Sequence, residues 1–314
     1  MDALIVMLKN VIVFVLLAVP GYILVKTKIV KNKESAVLSK LLTYVGMPFL
    51  ILSSTLNVEF TGEFTKWIII VAVFGTVFTV GAFFLSALLV KNGGNEKQKA
   101  MMRFCMVFSN NGFLGIPLAK AVLGNSPVVA YLIILNIVTL VIMFTLGVYL
   151  ISGDKKTISF KKAFLSPVVI AFLLGIVLNL TKVTNFVPEV ATYSNYFSNI
   201  VTPLSMVILG VKMADVKFSL IFTKRQTYYV SIVKLLVMPI VACALAYLMT
   251  LASANNSVVL ATFFALAVPT AGLASAFADQ YDGDVQGAVT QTLGTTILSV
   301  ITIPILYWIL CSII

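Results

Sequence analysis

The sequence predicts an all-α polytopic membrane protein of ten transmembrane helices, built as two inverted five-helix repeats with helices 4 and 9 broken. Three observations carry this expectation. The 314-residue chain is 60% apolar and 11% charged, with a mean hydropathy of +1.07, whereas a soluble domain carries about 25% charged residues. Two hydrophobic segments are interrupted, the fourth by Ser109-Asn110-Asn111-Gly112-Phe113-Leu114-Gly115-Ile116-Pro117 and the ninth by Val268-Pro269-Thr270-Ala271-Gly272. Basic residues crowd alternate connections.

Apolar segments of roughly 17–25 residues suffice to cross the hydrocarbon. They run over approximately 3–25, 36–56, 67–90, 100–123, 128–151, 163–180, 196–213, 227–251, 257–278 and 285–313. The first opens with Asp2 and lacks a basic start, so it reads as a resident span rather than a secretory signal. Cys105, Cys243 and Cys311 fall inside spans, where cysteine behaves as a small apolar residue. The chain has no histidine, which removes imidazole metal sites, Ser-His nucleophilic pairs and histidine proton relays. No cofactor and no metal site is expected, and an enzymatic reading is disfavoured. Tyr281-Asp282-Gly283-Asp284 lacks the leading glycine of the intramembrane aspartyl protease motif and has no partner aspartate in another span.

The net charge of +11 does not point to nucleic acid, because the lysines and arginines sit in alternate connections. Lys26, Lys28, Lys31, Lys33 and Lys40 follow helix 1, and Lys91, Lys97, Lys99 and Arg103 follow helix 3. Lys155, Lys156, Lys161 and Lys162 follow helix 5, and Lys212, Lys217, Lys224 and Arg225 follow helix 7. The intervening connections carry only Lys66 and Lys182. The positive-inside rule makes the basic connections cytoplasmic and sets both termini outside the cytoplasmic (inner) membrane. By parity the connection after helix 9 is also cytoplasmic, although it carries Asp279, Asp282 and Asp284 and no basic residue. Acidic residues count little in that rule.

An odd number of spans per half makes the second half enter from the opposite face, so residues 1–152 and 153–314 form inverted repeats. Gly46-Met47-Pro48-Phe49-Leu50 in helix 2 resembles Val201-Thr202-Pro203-Leu204-Ser205 in helix 7. Leu123-Gly124-Asn125 follows helix 4 as Asp282-Gly283-Asp284 follows helix 9. Pro20, Pro48, Pro203, Pro239 and Pro304 read chiefly as kinks in packed helices, with Pro48 and Pro203 as possible paired hinges. Pro117 and Pro269 belong to the breaks themselves.

Non-helical backbone in a bilayer is tolerated only where protein covers it or where it lines a cavity. Paired interrupted helices in the two halves of a chain are a pointer to a midplane substrate site. The half-helix after each break starts with unpaired N–H groups and the positive end of a helix dipole, which suits an anion. Those donors are expected from about Gly112 to Gly115 and from about Thr270 to Leu273, with Ala271 between them. Gly112, Gly115 and Gly272 allow close approach, and the Asn110 and Asn111 amides add donors. Alternatively the two asparagines cap the broken helix or bond a neighbour. Asn136 in helix 5 and Thr292, Thr295 and Thr296 in helix 10 could face the same place, the threonines reading mainly as interhelical glue. Lys234 could bias the route toward anions or snorkel to the interface. No Asp or Glu lies near the centre of a span, which weakens a carboxylate relay for protons or sodium.

Asn110-x-x-Phe113-x-Gly115-Ile116-Pro117-Leu118, with Pro269, Phe277-Ala278-Asp279-Gln280-Tyr281 and Thr302-Ile303-Pro304, resembles the auxin efflux carrier family over essentially the whole chain. That family includes prokaryotic malate- and malonate-type permeases and the plant auxin exporters. The resemblance implies that helices 4 and 9 cross at the midplane in a transport domain of helices 3–5 and 8–10. Helices 1, 2, 6 and 7 would form a dimerising scaffold past which that domain moves as an elevator. It also implies that Asn110 contacts a substrate carboxylate and that Pro269 is the helix 9 crossover proline. The plant relatives have a proline where this chain has Ser109, and a polar amide where it has Thr270, which argues against auxin itself. The expected function is export of a small organic anion by a secondary carrier. A passive anion channel and a sodium- or proton-coupled symporter are the alternatives.

The charge pattern makes a topological prediction. Single cysteines at Lys31, Lys97, Lys156 and Lys224 should react with an impermeant thiol reagent only from the cytoplasm, and cysteines at Glu63 or Asn185 only from outside. Outside labelling at two of the four basic positions would reverse the orientation.

Overall fold

The computed structural model describes residues 2–31, 34–56, 58, 61–91, 94–124, 126–158, 161, 164–214, 223–251 and 255–314. Lys33, Asn125, Lys162 and Lys217, which belong to the connections read above, lie outside the described residues. Among the described residues the regular structure is helical, and the only β-type pairing is an isolated antiparallel bridge between Ser109 and Thr270.

Seven helices among the described residues are long and apolar enough to cross a membrane: α1 (Asp2–Lys26), α2 (Ser35–Leu56), α3 (Gly62–Leu89), α6 (Pro127–Ser152), α9 (Glu189–Ala214), α10 (Arg225–Thr250) and α13 (Val285–Ile313). Three shorter apolar helices are α5 (Asn111–Leu123), α7 (Pro167–Leu180) and α11 (Asn256–Leu266). The remaining pieces are α4 (Glu96–Val107), α8 (Val183–Phe186) and α12 (Ala274–Gln280). The segment expected at 100–123 is thus α4 plus α5, and the one expected at 257–278 is α11 plus α12. Several boundaries differ from expectation: the helix expected from residue 67 begins at Gly62, with Thr61 as its cap, and the segment expected from residue 100 begins at Glu96, capped by Asn95. The helix expected from residue 163 begins at Pro167, with Ser166 as its cap, because proline fits the first turn of a helix. The helix expected from residue 196 begins at Glu189, and the turn at Ile200 interrupts it three residues before Pro203.

Proline marks a second local rule. The wide helical turns Leu42–Gly46, Asn111–Gly115 and Val233–Val237 each end two residues before a proline, at Pro48, Pro117 and Pro239. A proline lacks the N–H that would continue the ladder and crowds the carbonyl four residues back, and a wide turn relieves both. Pro20 and Pro304 instead sit inside continuous helices.

The packing pairs helices across the two halves of the chain. α1 lies along α9, and α2 lies along α7. At the first crossing Gly21 faces the Val207 carbonyl and Gly210 faces the Ala18 carbonyl, so that a β-carbon at either glycine would collide with backbone. At the second, Gly175 meets Thr55, and the Asn179 amide donates to the carbonyls of Thr55, Leu56 and Val58 at 3.0, 2.9 and 2.8 Å. Asn179 thereby caps the carbonyls at and just beyond the end of α2, where Thr55 also accepts from the Val58 N–H. In the rest of the protein α3 packs on α6, α10 on α11 and α13, and α11 also on α6. Lys97 pairs with Asp282 at 2.7 Å, so the connection after α12 lies at the same end as the basic connection before α4. This agrees with the parity assigned from charge.

The α1–α9 contact gives a stability prediction. Gly210→Val should destabilise the folded protein by about 3 kcal/mol or more, since overpacking here meets rigid backbone. Gly81, with no atom within 4 Å of an added β-carbon, should accept alanine within about 1 kcal/mol. Thermal unfolding in nanodiscs would compare them, and equal melting temperatures would show that the α1–α9 contact gives way.

Candidate functional site

The two breaks meet and pair. The Asn110 N–H donates to the Pro269 carbonyl at 2.8 Å, and the Ala271 N–H donates to the Phe108 carbonyl at 2.9 Å. These bonds flank the Ser109–Thr270 pair as in an antiparallel ladder. The local sequence explains both interruptions. α11 stops at Leu266 because residues before a proline avoid the helical region, and Ala267 and Val268 lead into Pro269. α4 stops at Val107, Phe108 is extended, and α5 restarts at Asn111 with the wide turn that Pro117 favours.

Side chains brace the crossing from three directions. The Thr270 hydroxyl donates to the Cys105 carbonyl at 2.9 Å, and the Thr270 N–H donates to the Thr295 hydroxyl at 3.2 Å. The Lys234 ammonium donates to the Ser109 hydroxyl and to the Leu266 carbonyl, the latter at 3.1 Å. Beneath the crossing Phe104 packs on Phe108 and Phe277 at centroid distances of 4.7 and 5.8 Å, and Phe144 packs on Phe277 at 5.2 Å.

A cavity of about 640 Å3 opens beside this crossing, within the size range of small-molecule sites. One wall is Thr43, Tyr44 and Met47 of α2 with the start of α7. The opposite wall is residues 109–113, Asn136 to Phe144 of α6, and Ala271 to Leu273. Most of the surface is apolar. Its polar groups are few, and several of its donors are unpaired. Among the described residues nothing accepts from the N–H groups of Asn111, Gly112 and Phe113, or from those of Gly272 and Leu273. The buried Asn136 Nδ2 has no hydrogen-bond partner, and the Asn136 Oδ1 stands next to Gly112. The Asn110 side chain lies beside Gly272 and makes no hydrogen bond among the described residues. Lys161 stands exposed at the rim, and the Lys212 ammonium reaches the Gly272 carbonyl at 3.3 Å.

Six of the nine residues expected at a binding site therefore line this cavity: Asn110, Asn111, Gly112, Asn136, Ala271 and Gly272. Gly115, Pro269 and Thr270 do not line it. Gly115 lies against the Phe264 carbonyl, where an added β-carbon would sit 2.5 Å away, so it permits α5 to approach α11. Pro269 supplies the carbonyl that pairs with Asn110, and Thr270 is a buried brace.

The donor positions also differ from expectation. Leu114 and Gly115 spend their N–H groups on the Asn110 carbonyl, leaving Asn111 to Phe113 open. Thr270 and Ala271 spend theirs on Thr295 and Phe108, leaving Gly272 and Leu273. The Asn111 amide points to Thr139 at 3.4 Å rather than offering itself freely. Lys234 does not snorkel; it is fully buried. The sequence reading missed Gln291, whose buried Oε1 has no partner, because an isolated amide in an apolar span carries no pattern.

The sequence model of a family described as "membrane transport protein" matches this chain twice, over residues 5–161 and 155–307. The chain belongs to this membrane transport family, the auxin efflux carrier-like family. Two successive matches are consistent with an internal repeat. An uncharacterized transporter from Methanothermobacter thermautotrophicus is 28% identical over 302 residues, covering 94% of this chain and 95% of that protein. The crossing and the cavity of this membrane transport protein draw residues from both matched segments.

The separation of brace from wall is testable. Thr270→Val should lower unfolding stability by about 1 kcal/mol through the lost hydroxyl bond, whereas Asn110→Ala, whose amide bonds nothing, should leave stability within about 0.5 kcal/mol. Denaturation of both variants in detergent checks this, and the reverse order would exchange the two roles.

Proposed function

We propose that the chain is a secondary carrier for a small organic anion, a mono- or dicarboxylate, working as an exporter by elevator-type alternating access. The observation that carries this reading is the cavity at the crossing, where several unpaired donors converge inside apolar walls. A carboxylate accepts hydrogen bonds only, so a site rich in free N–H groups and without a carboxylate of its own suits it. The Asn110 and Asn136 amides would hold the carboxylate, with the open N–H groups of Asn111 to Phe113 stabilising its charge. Gly112 and Gly272 would let the ligand approach the backbone. Gly115, Pro269, Thr270 and Ala271 would shape the crossing.

The organisation that suits this mechanism is ten spans in two inverted repeats, 1–152 and 153–314. It draws support from the packing of α1 on α9 and of α2 on α7, which exchange into one another when the halves are exchanged. Helices α1, α2, α7 and α9 would be the scaffold, and the remainder the moving body. Pro48, Pro117, Pro203 and Pro269 would be its hinges and breaks, and a homodimer its assembly in the inner membrane. The start of α7 and the first half of α2 follow basic connections, so the cavity in this state faces the cytoplasm with both termini outside. An inside-negative potential then favours export by about 2.3 kcal/mol per 100 mV for a monoanion.

A thermal-shift screen against mono- and dicarboxylates identifies a stabilising ligand by mass action, and its saturable counterflow in proteoliposomes tests the carrier. Asn110→Ala should weaken that ligand by about 1–3 kcal/mol. Non-saturable flux would make the protein a channel, and parental binding by the variant would move recognition to Asn136 and the backbone.

A further inference from the structure

The proposed carrier leaves one buried charge without a task. Lys234 has no exposed surface, and among the described residues the ion pairs present, Lys97–Asp282 and Lys99–Glu96, do not include it. An unpaired charge at this depth costs several kcal/mol. Its two partners are both oxygens of the crossing: the Ser109 hydroxyl in the first break and the Leu266 carbonyl, the last of α11. Leu266 ends a helix, so its carbonyl lies at the negative end of a dipole. Helix C-terminal carbonyls and unwound backbone at paired breaks are the ligands with which secondary transporters hold a coupling sodium ion or proton. Here an ammonium group reaches that place from α10, through the wide turn Val233–Val237.

We infer that Lys234 is the resident cation of the crossing, occupying the place of a coupling ion and making anion transport independent of sodium. The inference rests on the carrier reading for its functional meaning. Ser109 links the two sites, since it lines the cavity and accepts from Lys234. A monoanion bound there forms a neutral pair with the ammonium across one hydroxyl. The loaded body then carries no net charge through the bilayer, and the empty body returns with one positive charge. The same net charge crosses per cycle as for a bare anion. The inside-negative potential acts on the empty return instead of on the loaded step. Sodium has no vacant position to fill.

The test uses sodium itself as the probe, so it can fail while carboxylate counterflow succeeds, and the reverse. Melting temperatures are measured in nanodiscs for the parent, Lys234→Arg, Lys234→Ala and Lys234→Gln, titrating sodium chloride against N-methylglucamine chloride at constant ionic strength. The parent and Lys234→Arg should show no sodium-specific shift. Lys234→Ala and Lys234→Gln, with the place vacated, should gain about 5 °C at saturating sodium. A saturable sodium-specific shift in the parent, or none in the folded neutral variants, would overturn the inference. Should both neutral variants fail to fold in sodium and in its absence, with Lys234→Arg folded, Lys234 is a structural brace and the inference falls.

Discussion

The fold depends on one constraint: backbone opened inside a bilayer must find partners within the protein. An unpaired peptide group in an apolar medium costs several kcal/mol, and each break on its own would leave such groups at two helix ends. The protein meets the constraint by opening two helices at one place and letting them satisfy each other. Phe108 and Asn110 exchange bonds with Ala271 and Pro269, and the neighbouring Thr270 turns its own N–H and hydroxyl to Thr295 and Cys105. Neither break is stable without the other. The arrangement also sorts polarity, because α4 and α11 end with carbonyls at the crossing while α5 and α12 start with N–H groups beside the cavity.

The interruptions were legible because they violate helical propensity locally. Consecutive asparagines before glycine, and a proline followed by Thr-Ala-Gly, have no place in a continuous apolar helix. Composition likewise marks the membrane class, and the Lys97–Asp282 pair agrees with the parity expected of the one acidic connection. What the sequence hides is the register of the crossing. Which N–H groups remain open depends on which carbonyl each break meets across more than a hundred residues of chain, and that shifted the free donors to Asn111–Phe113 and Gly272–Leu273. Lys234 shows the same limit: whether a lysine snorkels or stays buried depends on where α11 ends, not on its own neighbours.

Two of the prolines read as kinks, Pro48 and Pro239, follow a wide turn, as does Pro117 of the first break, so their strain is absorbed upstream without bending the helix apart. The turns at Asn111–Gly115 and Val233–Val237 bring the cavity wall and Lys234 to the crossing, so the breaks and the buried charge share one local device.

Charge around the site has a gradient that follows from these positions. Lys161 lies exposed at the cavity rim, Lys212 reaches the Gly272 carbonyl from α9, and Lys234 is sealed behind Ser109. Their screening by water falls in that order, so on the carrier reading an anion entering from the rim meets an interaction that strengthens with depth. The Lys212 bond differs from the other two, because it joins a helix of the proposed scaffold to a break of the proposed moving body. On the carrier reading that bond must open whenever the crossing moves, whereas the Lys234 bonds travel with it intact. A part-buried lysine-to-carbonyl bond at 3.3 Å is long enough to be broken in each cycle. The buried ammonium, bound to both breaks, holds the crossing together while it does so.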